Sequence, residues 1–165
     1  MLPATTSKSF LTALNLIYFS LVFVMATFGL VVLYLNFSGG VSAEVDDEFT
    51  TMLRYILLAA LPIGLGAGYF LFKQLIGSPD SSTTLREKLF KYQNALLIRS
   101  AFFEIPGLLG AVCALITMDN SFLLFTGIAI VMFFLFRPTV YSITADLNLS
   151  QADRLILENP QSPLI

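Results

Sequence analysis

Glu104 stands inside an apolar run, Arg99 to Met118 (RSAFFEIPGLLGAVCALITM), with Pro106 two residues beyond it. A carboxylate in such surroundings is costly to ionise unless a cation or a set of donors is close. It can carry a proton, hold an ion, or pair with a basic side chain. Arg99, Lys73 and Arg137 are the available collar of cations, and Tyr18, Asn15 and Ser20 are possible donors at similar depth. Pro106 has no N–H, so the carbonyl of Phe102 loses its usual helical donor. Glu104, Arg99, Arg137 and Tyr18 therefore form a candidate intramembrane ion or proton site. The structural alternative is that Glu104 pairs with Arg99 or Arg137 and pins helices together. No second acid is available for a proton relay, and both readings stand at this point.

The element that positions Glu104 starts much earlier. Thr84 with Glu87 forms a capping box, in which hydroxyl and carboxylate satisfy free amides at a helix start. A helix from Leu85 to Met118 would be ~50 Å long, well beyond a ~30 Å hydrocarbon core. Its first turns, with Arg86, Lys88 and Lys91, must project into water. With the inner boundary near Ile98, Glu104 lies ~9 Å inside.

Composition explains why lipid is the relevant solvent. The chain has 165 residues, of which 56% are hydrophobic and only 12% charged, and its mean hydropathy is +0.81. A water-soluble core of this size could not hide so much apolar surface. Four runs approach the ~20 residues a spanning helix needs. They lie at about 10–36, 52–76, 97–118 and 121–137, with a polar tail at 141–165. The expected fold is an all-α membrane protein. It is one four-transmembrane-helix bundle, running up-down-up-down, whose long third helix extends into the cytoplasm.

The first run is far longer than a ~7–15-residue signal core. It is read as a retained anchor, although Val41-Ser42-Ala43 resembles a cleavage site. Ser38-Gly39-Gly40 opens a loop over residues 37–51 that carries Glu44, Asp46, Asp47 and Glu48. The second run contains Ala60, Gly64 and Gly68 at helical spacing, a stripe that lets a neighbouring backbone approach closely. Packing against the first or third run, a homodimer face and a hinge at Pro62 are the alternatives. Gly77 to Ser82 is a turn cluster, and Asp119-Asn120 is a tight turn that makes runs three and four antiparallel neighbours. In the tail, Ser150 with Asp153 caps a short surface helix that ends at Asn159-Pro160.

Basic residues set the orientation. Lys8, Lys73, Arg86, Lys88, Lys91, Arg99, Arg137 and Arg154 fall on one side of a four-span chain, and only Arg54 falls on the other. Both termini are therefore expected in the cytoplasm, with Tyr34 and Tyr55 at the outer edge and Tyr69 and Tyr141 at the inner. The basic stretch at Arg86, Lys88 and Lys91 is either this orientation signal alone or a seat for anionic lipid headgroups.

There is no His, and Cys113 is the single Cys. An internal disulfide and a zinc site of the usual His/Cys type are excluded. The acidic stretch lacks EF-hand spacing, and no basic stripe suits nucleic acid. No nucleophile–base pair and no phosphate loop is present, so no cofactor, metal or catalytic residue is expected.

The segments Ile98 to Glu104, Arg137-Pro138-Thr139 and Asp146 to Ser150 resemble small, uncharacterised four-span membrane proteins of Bacteroidota. The resemblance covers the second half of the chain. It implies an inner-membrane location and no activity. The expected function is that of a non-enzymatic accessory or scaffold subunit, with a membrane-protein partner or a second copy. The alternative is a small proton- or cation-coupled transport component using Glu104.

Overall fold

The computed structural model describes residues 6–39, 45–77 and 83–164. The cleavage-like Val41-Ser42-Ala43, Glu44 and most of the turn cluster, residues 78–82, lie outside them. Every regular element among the described residues is helical. These are α1 (Ser7–Ser38), α2 (Asp47–Ile76), α3 (Leu85–Thr117), a 3₁₀ turn (Asn120–Phe122), α4 (Leu123–Leu135), α5 (Val140–Asp146) and α6 (Gln151–Glu158).

Local chemistry explains the boundaries. Thr84 caps α3 through its hydroxyl, which accepts from the Glu87 amide, while the Glu87 carboxylate accepts from the Thr84 amide. Ser150 caps α6 by accepting from Asp153. Gly39 ends α1 with φ +67°, a left-handed conformation that a residue without Cβ adopts at no steric cost. The acidic stretch expected as loop is partly helical. Asp46 caps α2 and Asp47 and Glu48 form its first turn, where negative charge meets the positive end of the helix. α5 interrupts the expected polar tail and is held by a box of Thr139 and Ser142.

α1, α2 and α3 are each long and apolar enough to cross a membrane. The 3₁₀ turn with α4 joins α5 across a bend of 81°, and makes a fourth if the pair is one span. Three to four such helices fit a multi-pass membrane protein. α3 is the axis of the bundle: α2 packs on one flank almost wholly against it, while α1 and α4 share the other. Toward the end that holds both termini, the core joins Leu14, Tyr18, Phe72, Tyr92, Phe103 and Phe133 to Ile143, Leu147 and Leu157 of the tail. Toward the other end, Val32, Leu57, Ala111 and Phe122 form a smaller cluster.

The first turns of α3 are thus not simply bathed in water. Leu85, Leu89 and Tyr92 are buried in the same cluster as α5 and α6, and Lys88 reaches Asp153 at 3.3 Å. The chain end also folds back on the start. The Ser7 and Lys8 amides donate to the carbonyls of Ser162 and Pro160, the Ser7 hydroxyl donates to Leu157 at 2.6 Å, and Thr6 bridges Pro163. Free amides at the start of α1 are satisfied in this way by tail backbone.

Candidate functional site

The flank of α3 that faces α2 is built by close backbone approach. A Cβ placed on Gly64 would fall 2.8 Å from the Phe102 carbonyl oxygen, and one on Gly68 would fall 2.9 Å from the Phe102 Cβ. That carbonyl is the one Pro106 deprives of its helical donor. Gly64 and Gly68 therefore line the α2–α3 seam, with Ala60 half-buried one turn before Gly64. Gly66 meets nothing within 4 Å, and α2 runs unbroken through Pro62.

The opposite flank uses small residues that the sequence reading did not single out. A Cβ on Gly107 would collide with Met25 and Ala129, and one on Gly110 with Phe122 and Phe125. Thr126 donates to the Gly107 carbonyl at 2.7 Å. The signal was there in the helical spacing of Gly107, Gly110, Ala111 and Ala114.

Arg99 and Tyr18 serve the end of α4. The last carbonyls of a helix have no intrahelical donor. Tyr18 donates to the Phe133 carbonyl at 2.9 Å, and Arg99 Nη2 donates to the Phe136 carbonyl at 2.8 Å. Phe136 is the C-cap residue of α4, so the guanidinium also sits at the negative end of the helix dipole. Arg99 is only 4% exposed. Its guanidinium carbon lies 4.3 Å from the Phe72 ring centroid and 5.6 Å from that of Phe136, a cation–π geometry that offsets part of its desolvation. Tyr92, fully buried, places its ring edge-on to Phe72 at 5.5 Å. Nearby, Lys73 reaches Asp146 of α5 at 2.7 Å.

No family model, curated protein or solved structure matches this chain.

Glu104 stands apart from this cluster. It is half-buried on α3 and, among the described residues, makes no hydrogen bond or ion pair. The expected pairing with Arg99 or Arg137 is not formed. Arg99 is turned toward Phe72 and Phe136, and Arg137 is exposed just past the end of α4. The candidate set therefore divides: Arg99 and Tyr18 come together on α4, while Glu104 and Arg137 stand alone. Arg86 and Lys91 are exposed on the α3 extension, and Lys88 is occupied by Asp153. Among the described residues, no group of three or more carboxylate or thiol side chains is placed to hold a metal ion.

On the far end of the bundle, Arg54 Nη2 reaches Asp119 at 2.7 Å and Ser121 at 3.2 Å. Burial pushes the Asp119 carboxyl up, but the Ser121 amide and hydroxyl and the Arg54 guanidinium outweigh it, leaving it below its ordinary value. Asn36 donates to the Ala114 carbonyl at 3.0 Å and to Asn120 at 2.8 Å. Tyr18, Asn36, Arg99 and Thr126 thus each staple one helix to another.

Proposed function

We propose that the chain is a four-span protein of the cytoplasmic membrane, both ends cytoplasmic, acting as a non-enzymatic accessory subunit that docks a partner helix at Glu104. The observation that carries this reading is the contrast within the bundle. Tyr18, Asn36, Arg99 and Thr126 each donate to a carbonyl of another helix, whereas Glu104 meets no donor among the described residues. A carboxylate half-exposed to lipid is stabilised once a neighbouring span brings a donor or cation to it.

Four crossings are supported by the meeting of the chain ends, since Ser7 and Ser162 share a hydrogen bond and an even number of crossings returns a chain to its starting side. The 3₁₀ turn with α4 would span ~25 Å, short of a ~30 Å core, and local thinning of the bilayer accommodates such a mismatch. The concentration of basic residues on the side of the termini supports the orientation. The kinship proposed on the segments around Glu104 and Asp146, with four-span proteins of Bacteroidota, accords with this placement.

The second reading, proton- or cation-coupled transport, rests on the same unpartnered carboxylate. One set of variants separates the two. A tagged protein captured in mild detergent, with co-purifying proteins identified by mass spectrometry, retains its partner in wild type and in Glu104→Gln, which keeps hydrogen-bonding capacity, and loses it in Glu104→Leu. Transport predicts instead pH-dependent flux in vesicles that Glu104→Gln abolishes.

A further inference from the structure

A groove of about 710 Å³ runs between α1 and the tail helices, at the end of the bundle where the termini meet. Along α1 its lining runs from Lys8 at the mouth through Thr12 one turn deeper to Asn15, whose amide donates to the Leu11 carbonyl of its own helix, and then to Leu16 and Phe19. Val140 and Leu157 supply the apolar wall opposite. From Lys8 to Phe19 is eleven residues, ~16 Å along the helix, which matches the ~15 Å hydrocarbon depth of one leaflet. Leu16 is 70% exposed, so the groove opens sideways toward the bilayer.

We propose that this groove seats one phospholipid of the leaflet on the side of the termini, with a preference for an anionic headgroup. The acyl chain lies along Leu16 and Phe19, the Thr12 hydroxyl meets the glycerol ester level, and the Lys8 ammonium meets the phosphate. The order of chemistry down the wall, from cation through hydroxyl and an amide turned back on its own helix to hydrocarbon, follows that of a phospholipid. Glu158 also lines the mouth, and its carboxylate is held at 2.8 Å by Arg154, so it does not oppose the headgroup as a bare charge. Thr12 and Lys8 make no side-chain hydrogen bond or ion pair among the described residues, which leaves both available to a lipid. This seat is separate from Arg86 and Lys91 on α3, and it does not depend on Glu104.

The chain contains no Trp, so Phe19→Trp installs a single fluorophore at the deep end of the groove. The purified full chain in mild detergent is titrated with phosphatidylglycerol or phosphatidylcholine carrying brominated acyl chains, and quenching is followed. Phosphatidylglycerol is expected to quench at the lower concentration. Adding Lys8→Gln raises its midpoint roughly fivefold, the effect of removing one basic residue near an anionic headgroup. It shifts phosphatidylcholine less, because the choline cation already offsets the phosphate charge. Lys91→Gln, away from the groove, shifts neither lipid. Equal midpoints for the two lipids would overturn the proposal, as would equal shifts from Lys8→Gln and Lys91→Gln. Native mass spectrometry of the unmodified chain serves as the second measurement: a monomer carrying one phosphatidylglycerol supports the seat, and a lipid-free dimer contradicts it.

Discussion

Gly64 lies directly over the Phe102 carbonyl oxygen, so that a Cβ at position 64 would come within 2.8 Å of it. The glycine and Pro106 answer each other across two helices. Proline frees the carbonyl, and the absence of a side chain on Gly64 lets the α2 backbone cover it, a geometry in which Cα–H groups contribute weakly.

Adding a methyl group along this seam should separate the helices. Gly64→Ala and Gly68→Ala are each expected to destabilise the detergent-solubilised protein by about 1–3 kcal/mol, the usual cost of overpacking. Gly66→Ala, which meets open space, is expected to stabilise it by up to ~1 kcal/mol through helix propensity. Thermal unfolding followed by circular dichroism distinguishes the three, and a Gly64→Ala variant as stable as wild type would show that the seam is loose.

Arg99 is expected to act as the cap of α4. Arg99→Ala should cost about 1.5–3 kcal/mol, the range for a hydrogen bond to a charged group, with further loss from the emptied aromatic site. Arg99→Lys should recover little, because an ammonium lacks the planar face that lies over Phe72. Denaturant titration in detergent reads the difference, and full recovery by Lys would contradict the stacking role.

The Arg54–Asp119 pair gives a signed pH dependence. The folded Asp119 carboxyl sits below its ordinary value, so its contribution is present at neutral pH, above the unfolded carboxyl's range. It is lost as pH falls through the folded value. Both side chains are substantially exposed, at 51% and 32%, which holds the contribution to about 0.2–1 kcal/mol. Asp119→Asn should flatten that part of the acid limb of the stability curve. An unchanged acid limb in the variant would assign it to other carboxylates.

Joining of the termini should matter for stability as well as topology. Ser7 is fully buried and donates to Leu157. Ser7→Ala is expected to cost about 1 kcal/mol, and deletion of residues 159–165 should cost more, since it also exposes Leu157 and the first amides of α1. Limited proteolysis of α6 reports the loosening, and a truncated chain as resistant as wild type would contradict the clamp.

Much of this architecture was legible because it follows from local rules. The capping pairs Thr84/Glu87 and Ser150/Asp153 appear where the sequence placed them, and the first three apolar runs lie in helices long enough to cross a membrane, whereas the fourth is a 13-residue helix that bends into α5. α5 is hidden in the sequence because its box uses Ser142 in place of an acid or amide, and the helix start at Asp46 is masked by its place in an acidic run after Ser38-Gly39-Gly40, although a cap followed by acids marks such a start. The site was less legible. α1 and α2 are apolar around most of their circumference, so periodicity cannot tell which flank meets α3 and which meets lipid. Sequence distance groups Arg99 with Glu104. Its direction is set by the end of α4 and by Phe72, which are remote in the chain and come together only on folding.

Topology underlies both the docking role of Glu104 and the leaflet of the lipid seat, and cysteine accessibility in intact cells tests it most directly. In a Cys113→Ala background, single cysteines at Glu48, Lys91 and Gln161 are challenged with a membrane-impermeant maleimide. Four crossings with both ends inside predict labelling at 48 alone, and at 91 and 161 only after the cells are opened. Labelling of both 48 and 161 in intact cells would mean an odd number of crossings and would contradict the account.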